Sequence, residues 1–137
     1  MAKMSYTPVY WTKPYDALYE LLKERKASSN ISHKEMPTFE QHCSYVESRP
    51  HKEWYLIYAD GQVAGQVYVT EKNEIGIQIF SAFHRRGYAT EAVRNLIKNH
   101  KKGEQLLANI NPKNKASIAF FKKLGFKIVQ HTYGLAT

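Results

Sequence analysis

Apolar residues recur along this chain with two different periods. Thr7–Trp11 reads as a short strand, and Pro14 suits the first turn of a helix. Tyr15, Leu18, Tyr19 and Leu22 follow at i, i+3, i+4 and i+7, one apolar helical stripe. Ala27 to Pro37 is polar and reads as a long loop, of a length that is often functional. Thr38-Phe39-Glu40-Gln41 has the form of a capping box and opens a second helix, with Phe39, Cys43 and Val46 inward. The period then drops to two. Glu53–Ala59 and Gln62–Thr70 read as strands joined at Asp60-Gly61, a pair suited to a tight hairpin. After a turn at Glu71–Asn73, Glu74–Phe80 alternates, with Ile75, Ile77 and Ile79 on one face. From Gly87 the helical period returns with Ala89, Ala92, Val93, Leu96 and Ile97, and cations and Gly103 close that helix. Gln105–Ile110 reads as a strand. Asn114 caps a helix through Leu124 that Gly125 stops, and Phe126–His131 reads as a last strand.

The order β-α-α-β-β-β-α-β-α-β makes a mixed α/β chain. Its 137 residues, without repeat or linker, suit one domain over 1–137. With 43% hydrophobic and 23% charged residues, a wholly disordered chain is excluded. The longest apolar run, Trp54–Ala59, is far short of a membrane span, so no membrane partner is expected. The N-terminal residues lack the apolar stretch of a secretory signal, and a single cysteine, Cys43, makes no internal disulfide. Both fit a cytoplasmic protein. His42-Cys43 lacks the spaced partners of a metal site, so no metal is expected.

Lys and Arg outnumber Asp and Glu by 20 to 12, a net charge of +8 that attracts anions. The junction from Phe80 to Thr90 offers such an anion a place. Gly87-Tyr88-Ala89-Thr90 opens a helix whose first N–H groups lack internal partners and sit at its positive end. Gly87 and Ala89 leave room for phosphate oxygens, and Arg85 and Arg86 add charge.

These residues resemble the pyrophosphate loop of the GNAT superfamily of acyl-CoA-dependent N-acyltransferases, Gln/Arg-x-x-Gly-x-Gly/Ala. The same six positions here are His84-Arg85-Arg86-Gly87-Tyr88-Ala89, with His84 where Gln or Arg is usual. A second stretch, from Asn111 to Phe126, is similar to the family's Asn-x-x-Ala/Ser-x-x-x-Tyr-x-x-x-Gly-Phe. Both stand in the family's order on the expected elements. The resemblance implies a twisted, mostly antiparallel mixed sheet with helices on both faces. It also implies a parallel pair, Glu74–Phe80 and Gln105–Ile110, splayed to admit pantetheine. Acetyl-CoA would lie against Ile77 and Ile79, the segment Arg85, Arg86, Gly87, Tyr88, Ala89 and Thr90, and Asn114, Ser117 and Phe121. The backbone near Ile79 would polarise the thioester carbonyl.

An amine with a pKa near 10.4 is almost all protonated at neutral pH, so a general base is expected. The resemblance points to Glu74, with His33, Glu35, His51 and Glu53 as alternatives. The family's acid, a tyrosine of the C-terminal helix, is replaced by Phe121, which leaves Tyr133, Tyr88 or water. The expected activity is acetyl transfer to a primary amine by direct attack in a ternary complex. The acceptor is a small molecule or peptide, and the basic surface suggests an anionic one such as a nucleotide-linked amino sugar. It would be gripped by the Ala27–Pro37 loop, the two N-terminal helices and the last strand. A catalytically silent CoA binder and a basic nucleic-acid-binding module are the rivals. Nucleic acid is disfavoured, because Lys98-Asn99-His100-Lys101-Lys102 carries no interleaved aromatic. A homodimer stays open.

Overall fold

The computed structural model describes residues 2–28 and 35–137. Strand β1 spans Met4–Pro8, and helices α1, α2 and α3 span Val9–Thr12, Tyr15–Ser28 and Phe39–Glu47. Strands β2, β3 and β4 follow at His51–Ala59, Gln62–Thr70 and Ile75–Ile79, then helices α4 at Tyr88–Asn99 and α5 at Lys115–Lys123. The four strands form one antiparallel sheet in the order β1-β2-β3-β4. Asp60 and Gly61 take φ of 49° and 79°, as the tight β2–β3 hairpin requires.

The sheet carries helices on both faces. On one, Ile57, Val67, Val69, Ile75 and Ile79 pack against Tyr88, Ala92, Val93 and Leu96 of α4. On the other, Trp54 and Leu56 pack against Val9, Leu18, Leu21 and Val46 of α1, α2 and α3. Leu56 and Ile57 point oppositely and are both fully buried, each worth about 1.5–3 kcal/mol.

Several boundaries differ from the sequence expectation. The first strand ends at Pro8, and Val9–Thr12 is one helical turn closed by left-handed Lys13. Helix α2 runs through Ser28, so Ala27 and Ser28 belong to it; residues 29–34 of the expected loop, His33 among them, lie outside the described residues. Its buried stripe centres on Leu18 and Leu21 rather than Leu22. The capping box of α3 forms, with Thr38 and Gln41 exchanging side-chain bonds of 3.1 and 2.9 Å. The inward residues of α3 are His42 and Val46, while Phe39 is 39% exposed.

The largest differences come after α4. Gln105–Ile110 is not a strand. It touches the sheet at one parallel bridge, Glu74 to Leu107, where Ile75 N donates to Leu107 O and Leu107 N to Asn73 O, both at 2.8 Å. Beyond Leu107 the two segments share no further ladder bond among the described residues, so they part. Phe126–His131 forms no strand either. A strand needs a neighbouring ladder, and a segment that bridges once offers none; Ile128 and Val129 are correspondingly exposed.

Candidate active site

The site is built on β4, an edge strand of the sheet that is bridged at Glu74 and open beyond it. In an extended strand successive residues turn their backbone groups to opposite sides. Phe80 N donates to Ala64 O of β3, whereas Ile75 N points the other way to Leu107. Ile77 and Ile79 therefore turn their N–H groups to the open edge, where the chain after Leu107 has moved away. Their side chains point into the α4 face of the core, so only their backbone is offered to a ligand.

Past Ile79 a 3-10 turn, Ser81–Phe83, leads to α4. His84 Nε2 lies 2.8 Å from Ile79 O. A carbonyl oxygen only accepts, so Nε2 carries the hydrogen and the ring fastens the loop to the strand. Ser81 N donates to Glu24 Oε1 of α2 at 2.6 Å, fastening the loop on its other side. Gly87 precedes α4 in the left-handed region (φ 79°, ψ 9°), and no side chain caps the helix. Among the described residues no acceptor meets the amides of Arg85, Arg86, Gly87, Tyr88, Ala89 and Thr90. These six unspent donors lead into and open a twelve-residue helix at its positive end. Arg85 and Arg86 are exposed beside them, the Arg86 guanidinium 5.4 Å from the centre of the Phe83 ring. The Tyr88 side chain is packed in the core, which removes its phenol from proton transfer and leaves its amide.

On the opposite face of β4, alternation sets Glu74, Gly76 and Gln78 in a row. Glu74 Oε1 accepts from Thr70 Oγ1 at 3.2 Å, and Oε2 accepts from Asn109 Nδ2. Glu74 thus stands where the two segments begin to part. Tyr68 of β3 lays its ring across Gly76 and stacks on His51 at 3.8 Å and 11°. Trp54 Nε1 donates to Gln66 Oε1 at 2.9 Å, Gln66 Nε2 to Gln78 Oε1 at 2.8 Å, and Gln78 Nε2 to Leu21 O at 2.7 Å. This chain of amides ties the face of β4 to α2. Burial lowers the His51 pKa to about 4 and also lowers that of His42. Tyr68, Gln66 and Gln78 were absent from the sequence reading. Their trace there is the polar phase of two alternating strands, which reads equally as a solvated face.

The family model for the acetyltransferase (GNAT) domain matches residues 9–127. The chain belongs to the GNAT acetyltransferase family.

Solved structures share the fold at low sequence identity. A domain from Methanocaldococcus jannaschii superposes with a TM-score of 0.80 at 22% identity, over 96% of this chain and 93% of that one. An N-acetyltransferase from Staphylococcus aureus gives 0.75 at 19%, over 92% and 84%. An aminoglycoside N-acetyltransferase solved with CoA gives 0.71 at 18%, over 100% and 96%. No curated protein matches the chain.

As a GNAT acyltransferase, the protein sets its remaining expected residues apart. Asn114 caps α5, its side chain accepting from Ser117 N at 3.1 Å, so the cap is one role it holds. Phe121 is buried between Phe120 and Phe126, its ring 5.0 and 5.1 Å from theirs. Tyr133 is 91% exposed and is not brought to Glu74. No described helix is long and apolar enough to cross a membrane, and no cluster among the described residues suits a metal ion.

Proposed function

We propose that this GNAT enzyme transfers acetyl from acetyl-CoA to a primary amine by direct attack in a ternary complex. The observation that carries the reading is the run of six unpartnered amides from Arg85 to Thr90, beside an edge from which the next segment parts. That cradle fits a diphosphate: its donors are backbone, Gly87 has no side chain to obstruct them, and two arginines flank it. The N–H groups of Ile77 and Ile79 would hold the pantetheine arm and the thioester carbonyl in the gap. Asn114, Ser117 and Phe121 would close its far wall. The bound cosubstrate supplies an acyl carbon activated by sulfur.

Glu74 is the proposed base. Its carboxylate stands at the apex of the gap on the face turned to α2 and α3, and Asn109 and Thr70 hold it in place. It takes the proton of the attacking amine directly or through water. Tyr133 would serve as acid only with residues 127–137 folded back over the gap. The net charge of +8 supports an anionic acceptor and weighs against polyamines. A peptide amine stays within the same reading, and the localisation proposed is cytoplasmic.

The test is thiol release from acetyl-CoA with a panel of amines, alongside calorimetric titration with CoA. Saturable CoA binding with amine-dependent release is expected. Tight binding without release for any amine would turn the reading into that of a silent CoA binder. A salt-dependent shift of DNA without CoA binding would favour the nucleic-acid module.

A further inference from the structure

The step left without a residue is protonation of the departing sulfur. Phe121 has no proton to give, the phenol of Tyr88 lies in the core, and Tyr133 stands in solvent. A different tyrosine reaches the gap from the sheet itself. Tyr68 pairs with Gly76 across β3 and β4. A Cβ built on Gly76 would lie 1.9 Å from Tyr68 Cζ and 2.3–2.4 Å from both Cε atoms. The far end of the ring is therefore centred over β4, and the hydroxyl it carries sits at that edge strand. It lands on the same face as Glu74, one alternation along, where the N–H groups of Ile77 and Ile79 line the gap. The hydroxyl has no hydrogen-bond partner among the described residues, and unlike that of Tyr6 it is not sealed from solvent. The ring is held: His51 stacks on its outer side, Trp54 packs edge-on at 6.3 Å, and Gly76 leaves it room. A fixed ring with an unspent phenol at a reaction edge has the geometry of a proton donor.

We infer that Tyr68 is the general acid of this enzyme, giving its phenolic proton to the sulfur of coenzyme A as the thioester breaks. This rests on the acetyl-transfer reading above. The amine nitrogen bonds to the acyl carbon, the carbon–sulfur bond breaks, and sulfur keeps the electron pair. Glu74 takes the proton from nitrogen and Tyr68 gives one to sulfur. The phenolate recovers its proton from Glu74 through water, so amide and thiol are the net products and both side chains return to their starting states.

The test compares Tyr68→Phe with the wild type, because phenylalanine keeps the stack on His51 and the cover over Gly76. Two readouts are taken. By calorimetry, the wild type should bind CoA more tightly than its desulfurised analogue, and Tyr68→Phe should bring that ratio close to one while affinity for the analogue is kept. In turnover, Tyr68→Phe should lower kcat by roughly 10²-fold or more, the usual scale for a lost acid. The defect should shrink with the selenium analogue of acetyl-CoA, whose leaving group needs no proton. An unchanged binding ratio with unchanged kcat overturns the assignment, as does an equal defect with both donors, which marks a structural role only. A defect in Tyr133→Phe with normal Tyr68→Phe returns the role to the C-terminal segment. If the wild type itself turns over no amine, the acetyl-transfer reading fails first, and the binding ratio alone then decides whether Tyr68 meets the sulfur.

Discussion

The ring of Tyr68 occupies the space that a side chain at Gly76 would take. The two residues are cross-strand partners, and the aromatic covers backbone that the glycine leaves bare. Gly76→Ala should therefore displace the phenol and destabilise the fold by about 1–3 kcal/mol, the usual scale for overpacking. Urea unfolding measures it. The loss should be smaller when Tyr68→Ala is already present, since the clash is then gone. Equal losses in both backgrounds would show that the ring can move aside freely.

Backbone conformation at the loop makes two opposite predictions. Gly87 has φ of 79°, where a β-branched residue costs on the order of 1–3 kcal/mol. Gly87→Val should weaken CoA binding by about tenfold or more, because its side chain strains and crowds the amide cradle. Arg85 is itself left-handed, with φ of 63°, in a residue type that pays a conformational penalty there. Arg85→Gly should relieve that strain, raising stability by up to about 1 kcal/mol. It should also weaken CoA binding severalfold at low salt, through the lost charge. Calorimetry at two salt concentrations and thermal unfolding separate the effects.

His51 makes stability depend on pH. Burial brings its folded pKa to about 4 from an ordinary 6.5, so between those values the unfolded chain binds the extra proton. Stability is then fully present above pH 6.5 and falls as pH drops toward 4. His42, lowered by the same cause, adds in the same direction. Replacing His51 with Phe, which keeps an aromatic face against Tyr68, should flatten the decline between pH 6.5 and 4. Urea midpoints across that range read it; an unaltered slope would show that His51 does not carry it.

The hairpin strands, both cap-initiated helices and the glycine-led start of α4 were legible because each is dictated locally. Thr38 with Gln41, Asp60 with Gly61, and Asn114 with Gly125 work through neighbours a few residues away. What escaped depends on distant partners. The segment 105–110 has the composition of a strand, but Leu107 alone finds the ladder, and nothing within the segment records that Ile77 and Ile79 would have no pair. Tyr68 escaped for a related reason. Its value comes from a glycine eight residues on, brought alongside by a turn, and sequence spacing alone does not distinguish a phenol over a gap from a solvated one. Glu74 was placed at the gap from resemblance, yet its bond from Asn109, 35 residues on, is a long-range fact. The departure at His84 needed the structure too, since only the 2.8 Å approach to Ile79 O shows what the ring does.

That approach makes the exchange at position 84 testable by chemistry rather than size. Gln, Arg and imidazole share one property, an N–H able to reach the last carbonyl of β4. His84→Gln should then hold the loop and keep CoA affinity within about twofold, because the donated bond survives. His84→Leu fills similar space without a donor, leaving Ile79 O unpaired and the loop fastened through the Ser81–Glu24 bond and the packing of Phe83. A net hydrogen bond is worth about 0.5–1.5 kcal/mol, so CoA binding should weaken by about two- to twelvefold. Hydrogen exchange of the amides after residue 84 in the CoA-bound enzyme should quicken in the Leu variant and not in the Gln variant. Equal affinity for both variants would mean that the unpartnered amides hold their arrangement unaided, with Gly87 and the start of α4 sufficient to set it.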